Sequence, residues 1–128
     1  MNRRLIRLLA VGLVIAGTRA GAHHQFRATY VEGREMTIEG DLIQFLYRNP
    51  HSFVQILARD STNQPERWSV EWDGRGLLDQ QGITSMTLKP GDHLIITGVP
   101  GPKQNDHWLR LRSMVRPRDG WHWMGKMD

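Results

Sequence analysis

From Met36 onward the apolar positions of the chain fall into short alternating runs, the period expected of half-buried strands. MTIEGDLIQFLY, residues 36–47, sets Met36, Ile38, Gly40 and Leu42 on one face, and the apolar phase then moves to Ile43, Phe45 and Tyr47. A phase slip beside a glycine predicts a bulge in one long, bent strand. RNPHS, residues 48–52, reads as a turn held by Pro50, and FVQILAR, residues 53–59, as a second strand. After the polar loop DSTNQPE, RWSVEW (67–72) alternates strictly, with Trp68, Val70 and Trp72 facing one way. The period then breaks. DGRGLLDQQG, residues 73–82, predicts a short helix with Asp73 as its N-cap and Gly82 as its C-terminal glycine. LKPGD (88–92) is a turn that launches the strand HLIITGV (93–99), and PGPKQND (100–106) is a loop. HWLRLRSMVR (107–116) is the last strand, with Leu109, Leu111 and Val115 on one face and Trp108, Arg110, Arg112 and Arg116 on the other.

Three strands, a short helix and two more strands, the first strand long and bent, is the order of a five-stranded OB-like barrel. An all-β barrel of this kind is the predicted fold; a short open β-meander sheet is the alternative. The predicted core unites Ile38, Leu42, Val54, Ile56, Trp68, Val70, Leu94, Ile96, Leu109 and Leu111. The barrel domain is expected over 36–116, with an extended N-terminal arm over 23–35 and an irregular tail over 117–128.

The segment before the arm changes how the composition is read. Arg3, Arg4 and Arg7 precede the uncharged run LLAVGLVIAG (8–17), and Ala20-Gly21-Ala22 follows as a small-x-small site. This pattern predicts a secretory signal peptide over 1–22, cleaved after Ala22. The apolar run is shorter than the roughly 20 residues a spanning helix needs, so no transmembrane segment is expected in the mature form. Cleavage would leave 106 of the 128 residues, enough for one domain with a core, starting at His23 in the periplasm or outside the cell. The full chain carries 17 Lys+Arg against 13 Asp+Glu; four of the arginines and none of the acids lie in 1–22, so the mature balance is 13 to 13. The basic character is therefore a targeting signature, and no nucleic-acid partner is expected. There is no cysteine, which excludes disulfides and thiol chemistry.

Several stretches resemble a bacterial family of small exported domains of unassigned function. They are His23-His24-x-Phe26 directly after Ala22, Asn49-Pro50-His51, Trp68-x-Val70-Glu71, Leu77-Leu78 ahead of Gly82, and Leu88-Lys89-Pro90-Gly91-Asp92. The resemblance spans essentially the whole mature chain; the paired histidines and the Asn-Pro-His turn are its most specific pieces. It implies export and an OB-like barrel and brings no catalytic residues with it. The tryptophan-bearing tail departs from the pattern.

A mature chain beginning at His23 would offer its α-amine and the His23 Nδ1 in one chelate ring. A further imidazole would complete a nitrogen-only site suited to Cu(II). His51 is the first candidate to supply it, against the plainer reading that it caps a turn, and His24 could compete by binding through the backbone amide between the two histidines. His93, His107 and His122 show no metal-ligand spacing and read as surface residues. Trp108, Arg110 and Arg112 form a candidate ligand face, an aromatic ring with guanidinium groups that suits stacking on a sugar, a base or an anionic group. Its alternative is a solvated strand face. No GxSxG, phosphate loop or framed carboxylate pair is present, and Ser52 beside His51 does not make a nucleophile pair, so catalysis is not expected. Two function classes follow: a binder of a small ligand or metal, with Cu(II) as the metal, and a periplasmic protein–protein adaptor using the barrel face or the tryptophan tail.

Overall fold

The structure is a computed structural model, and it describes residues 33–126. The expected signal peptide, His23, His24 and most of the expected arm lie outside the described residues. Six strands run in the order β1 (Met36–Leu46), β2 (Phe53–Arg59), β3 (Pro65–Glu71), β4 (His93–Pro100), β5 (Trp108–Arg116) and β6 (Trp121–Met124). A short helix α1 (Arg75–Gln80) lies between β3 and β4, and a 3-10 turn (Gln104–Asp106) precedes β5. The sheet order is β3-β2-β1-β4-β5-β6, and a parallel β3–β5 pairing closes the first five strands into a barrel. This is the predicted OB-like barrel.

β1 is long because it serves two neighbours. Its first half pairs with β4 from Met36 to Asp41, and its second half pairs with β2 from Gly40 to Leu46. The register slips between Leu42 and Gln44, where the phase slip in the sequence lies. Gly40 belongs to both pairings, opposite Ala58 and Leu94. A Cβ there would lie 2.3 Å from the Leu57 carbonyl oxygen, so only glycine lets the backbones approach this closely.

All ten positions expected to share one core do so, joined by Trp72, Leu78, Ile83, Leu88 and Met114. Leu78 on α1 plugs the end of the barrel at which β1 finishes and β2 begins. Helix α1 is shorter than predicted. Its N-cap is Gly74, not Asp73, because Asp73 is drawn to Arg110 on β5. The Asn49 side-chain oxygen instead accepts the Gly76 amide at 3.3 Å. Gly82 has φ +75°, the left-handed conformation that ends a helix.

Two expectations are corrected along β5 and beyond it. Thr97 pairs with Ser113 and Gly98 with Leu111, so Arg112 is an extra residue bulged out of β5. The bulge inverts the alternation: Met114 is fully buried, while Val115, expected inside, is exposed. Arg116, expected on the outer face, turns in to Asp92 and the Thr87 carbonyl. The tail is not irregular either. Asp119 accepts from Arg116 and from the Trp121 amide, Gly120 takes φ +72°, and the chain returns as β6, antiparallel to β5. Trp123 then packs edge-on to Trp72 at 5.1 Å, and Trp121 lies beneath the Arg116 guanidinium. Among the described residues no helix is long and apolar enough to cross a membrane.

Candidate functional site

Alternation in β2, β3 and β5 sends the core residues inward and leaves a second set on the outer face. Register aligns that set in two rows. Phe53 lies opposite Glu71 and Glu71 opposite Arg110; Gln55 lies opposite Ser69 and Ser69 opposite Trp108. The Gln55 amide donates to Ser69 Oγ at 2.8 Å, and Phe53 and Trp108 meet edge to face at 5.3 Å. Arg48, from the β1–β2 turn, places its guanidinium 5.1 Å from the Phe53 ring centre. The outer face of strands 2 and 3, flanked by the β1–β2 and β4–β5 loops, is where OB-type barrels hold their ligands.

Glu71 sits at the centre of this face and is only 8% exposed although it is charged and outside the barrel. Its carboxylate receives the Nδ1 proton of His51. An ionised carboxylate only accepts, so Nδ1 carries the proton of this contact, and in the neutral imidazole it is Nε2 that holds the lone pair. Nε2 meets no hydrogen-bond partner among the described residues, and the His51 side chain is 41% exposed. On the other side of Glu71, Arg110 donates to Asp73 at 3.0 Å, both side chains being largely buried. Ser52, fully buried behind His51, gives its hydroxyl to the Arg48 carbonyl at 3.2 Å.

The profile of a family of unknown function, DUF6152, matches residues 10–110. The chain belongs to this family. No curated protein and no solved structure matches it.

The structure joins two groups that the sequence reading kept apart. His51, a candidate metal ligand, and Trp108 and Arg110, candidate ligand-face residues, occupy one surface around Glu71. Arg112 leaves that surface; the bulge puts it beside Thr97, Met124 and Gly125. His23 and His24 fall outside the described residues. The other histidines lie apart from His51. His93 on β4 is clamped at 2.7 Å on each ring nitrogen, by Glu39 and by Asp41. The Glu39 hydrogen bond, with that of Asp41, raises its pKa above the ordinary imidazole value. His122 is exposed on β6. His107 is no isolated surface residue: it stacks on Trp68 at 4.8 Å and reaches Glu66 at 3.2 Å. Among the described residues no three His, Cys, Asp or Glu side chains form a group able to hold a metal ion. Sequence reasoning missed Glu71 and Asp73. The signal for Glu71 was its outward position in the strictly alternating strand 67–72. Asp73 was hidden by its more usual role as a helix cap.

Proposed function

We propose that this chain is an exported, non-catalytic binding domain whose ligand surface is the outer face of β2, β3 and β5, and that it binds Cu(II) there. Cleavage after Ala22 would expose the His23 amine and imidazole, and His51 Nε2 supplies the further nitrogen. The observation that carries the reading is the His51–Glu71 pair. Metal-bound histidines commonly donate their second ring nitrogen to a carboxylate, which fixes the tautomer and strengthens the ligand. Glu71 does this for His51 before any metal arrives. A nitrogen set without thiolate favours Cu(II) over structural zinc. The α-amine has an ordinary pKa of about 7.7–8.0, so freeing it at neutral pH costs about 1 kcal/mol.

The experiment is a Cu(II) titration of protein that begins at His23, beside protein carrying one extra residue before it. The extension moves the amine out of the chelate and leaves every imidazole in place. The processed form is expected to bind one Cu(II) orders of magnitude more tightly, and His51→Ala to weaken it less while altering its electron paramagnetic resonance spectrum. Equal affinity in both forms would overturn the copper reading. The second reading, a metal-free protein–protein adaptor, then leads. Trp121 and Trp123 are packed on the barrel, so that reading rests on the Phe53–Trp108 surface.

A further inference from the structure

The end of the barrel remote from α1 holds a cavity of about 370 Å³, where β1 starts and β4 hands over to β5. It owes nothing to His51. One wall is the Trp68–Glu66–His107 group. The His107 ring lies 4.8 Å from Trp68, its Nε2 is 3.2 Å from one Glu66 oxygen, and the other Glu66 oxygen accepts the Trp68 indole N–H at 3.2 Å. Glu66 is thus engaged on both oxygens by the protein itself. His107 reaches this position with φ +46°, a left-handed backbone that a residue with a Cβ seldom adopts. Its carbonyl meanwhile accepts the Ser69 amide and starts the β3–β5 pairing. Trp108 and the Pro100–Pro102 turn line the cavity further, and Arg34 and Lys103 stand at its edge. Neither cation has an ion-pair partner among the described residues.

We infer that this barrel mouth binds a small planar aromatic carboxylate. Cavities of this size at barrel mouths are typical ligand sites. This cleft is partly open to solvent and has polar as well as apolar walls; an enclosed apolar cavity of about 150 Å³ already holds one benzene ring, so its volume of about 370 Å³ leaves room for two fused rings. His107 and Trp108 offer ring surfaces for the planar body. Two cations with no ion-pair partner among the described residues, against one internally satisfied carboxylate, select a negative head group.

The probe is 2-naphthoate, titrated calorimetrically into the full chain in excess chelator, which removes any metal and separates this proposal from the copper reading. The neutral isostere 2-naphthylmethanol is the control. Saturable one-to-one binding of naphthoate, at least tenfold tighter than the alcohol, is expected. Lys103→Glu should weaken it at least tenfold. His107→Gly should do the same while the circular dichroism spectrum stays native, because glycine accepts φ +46° and keeps the backbone bond to Ser69 even as the contacts with Trp68 and Glu66 are lost. His51→Ala should bind naphthoate as the wild type does. No saturable heat, equal binding of acid and alcohol, or undiminished binding in both His107→Gly and Lys103→Glu would overturn the proposal.

Discussion

Asp92→Asn tests how the loop after α1 is tied to the barrel. The Asp92 side chain is 5% exposed. One carboxylate oxygen accepts the Lys89 amide at 3.0 Å and Arg116 at 2.9 Å, and the other accepts Arg118 at 3.3 Å. Arg116 is itself 11% exposed and also holds Asp119. Removing one partner of a buried ion pair costs about 3–5 kcal/mol when the other charge is left alone. Here Asp119 still faces Arg116, and the new amide oxygen still accepts from Lys89, so roughly 2–3 kcal/mol is expected. At about 4–8 °C per kcal/mol for a domain of this size, the melting temperature should fall by roughly 10–20 °C at neutral pH. The pH dependence separates charge from packing. Burial opposes ionisation of Asp92, but the Lys89 amide and the two guanidinium groups outweigh it and hold the carboxyl below its usual range. A depressed carboxyl contributes stability above its unfolded pKa of about 3.9, and that contribution is lost as pH falls through the lower folded value. Wild type and Asp92→Asn should therefore converge in acid. Thermal denaturation followed by circular dichroism across this range is the assay. A variant melting within about 2 °C of wild type at pH 7, or a gap that persists undiminished in acid, would refute the reasoning.

Gly40→Ala should destabilise the barrel by about 3 kcal/mol or more, because its Cβ would meet β2 backbone atoms that have nowhere to go; an unchanged urea midpoint would count against the close approach. Val70→Asp should abolish folding, since Val70 is fully buried and an unpaired interior charge costs several kcal/mol of a typical total of about 5–15. A native circular dichroism spectrum and an unchanged melting temperature would contradict the register. His93 should titrate in the folded chain above the ordinary imidazole value of about 6.5, as read by NMR. Glu39→Gln should lower its midpoint, and added salt should do the same because the clamp is exposed. The clamp's small contribution to stability is present below the unfolded pKa and lost as pH rises through the raised folded value.

Strand existence was readable because alternation is a local property. Met36, Ile38, Gly40 and Leu42 declare a half-buried strand without reference to any partner, and the slip at Ile43 declares its bend. What failed depended on partners far along the chain. Val115 and Met114 exchange faces because β5 carries one more residue than β4 between two bridges, a mismatch that neither strand shows alone. Asp73 could cap α1 by its position, and only the parallel β3–β5 closure brings Arg110 to it. The tail was unreadable for the same reason: WHWM becomes a strand by docking on β5 and on Trp72. The site was half legible. His51, Trp108 and Arg110 stood out by residue type, whereas Glu71 acquires its significance from being a nearly covered charge between His51 and Arg110.

The barrel closes on three residue pairs, Ser69 with Trp108, Val70 with Leu109 and Glu71 with Arg110, against seven between β2 and β3. The seam is thus the shortest ladder of the cylinder, and the place where transient opening is expected to start. The candidate face straddles it: Glu71 and His51 stand on one lip and Arg110 and Trp108 on the other. Anything held across both lips acts as a clasp, because it binds the shut cylinder and not the gaping one. For a ligand bound as proposed, amide hydrogen exchange along the seam and affinity at the face would then be one equilibrium seen from two sides. If the proposed face captures a ligand, a substitution that loosens the seam should weaken capture without touching the captured molecule, and capture should slow exchange at amides it never contacts.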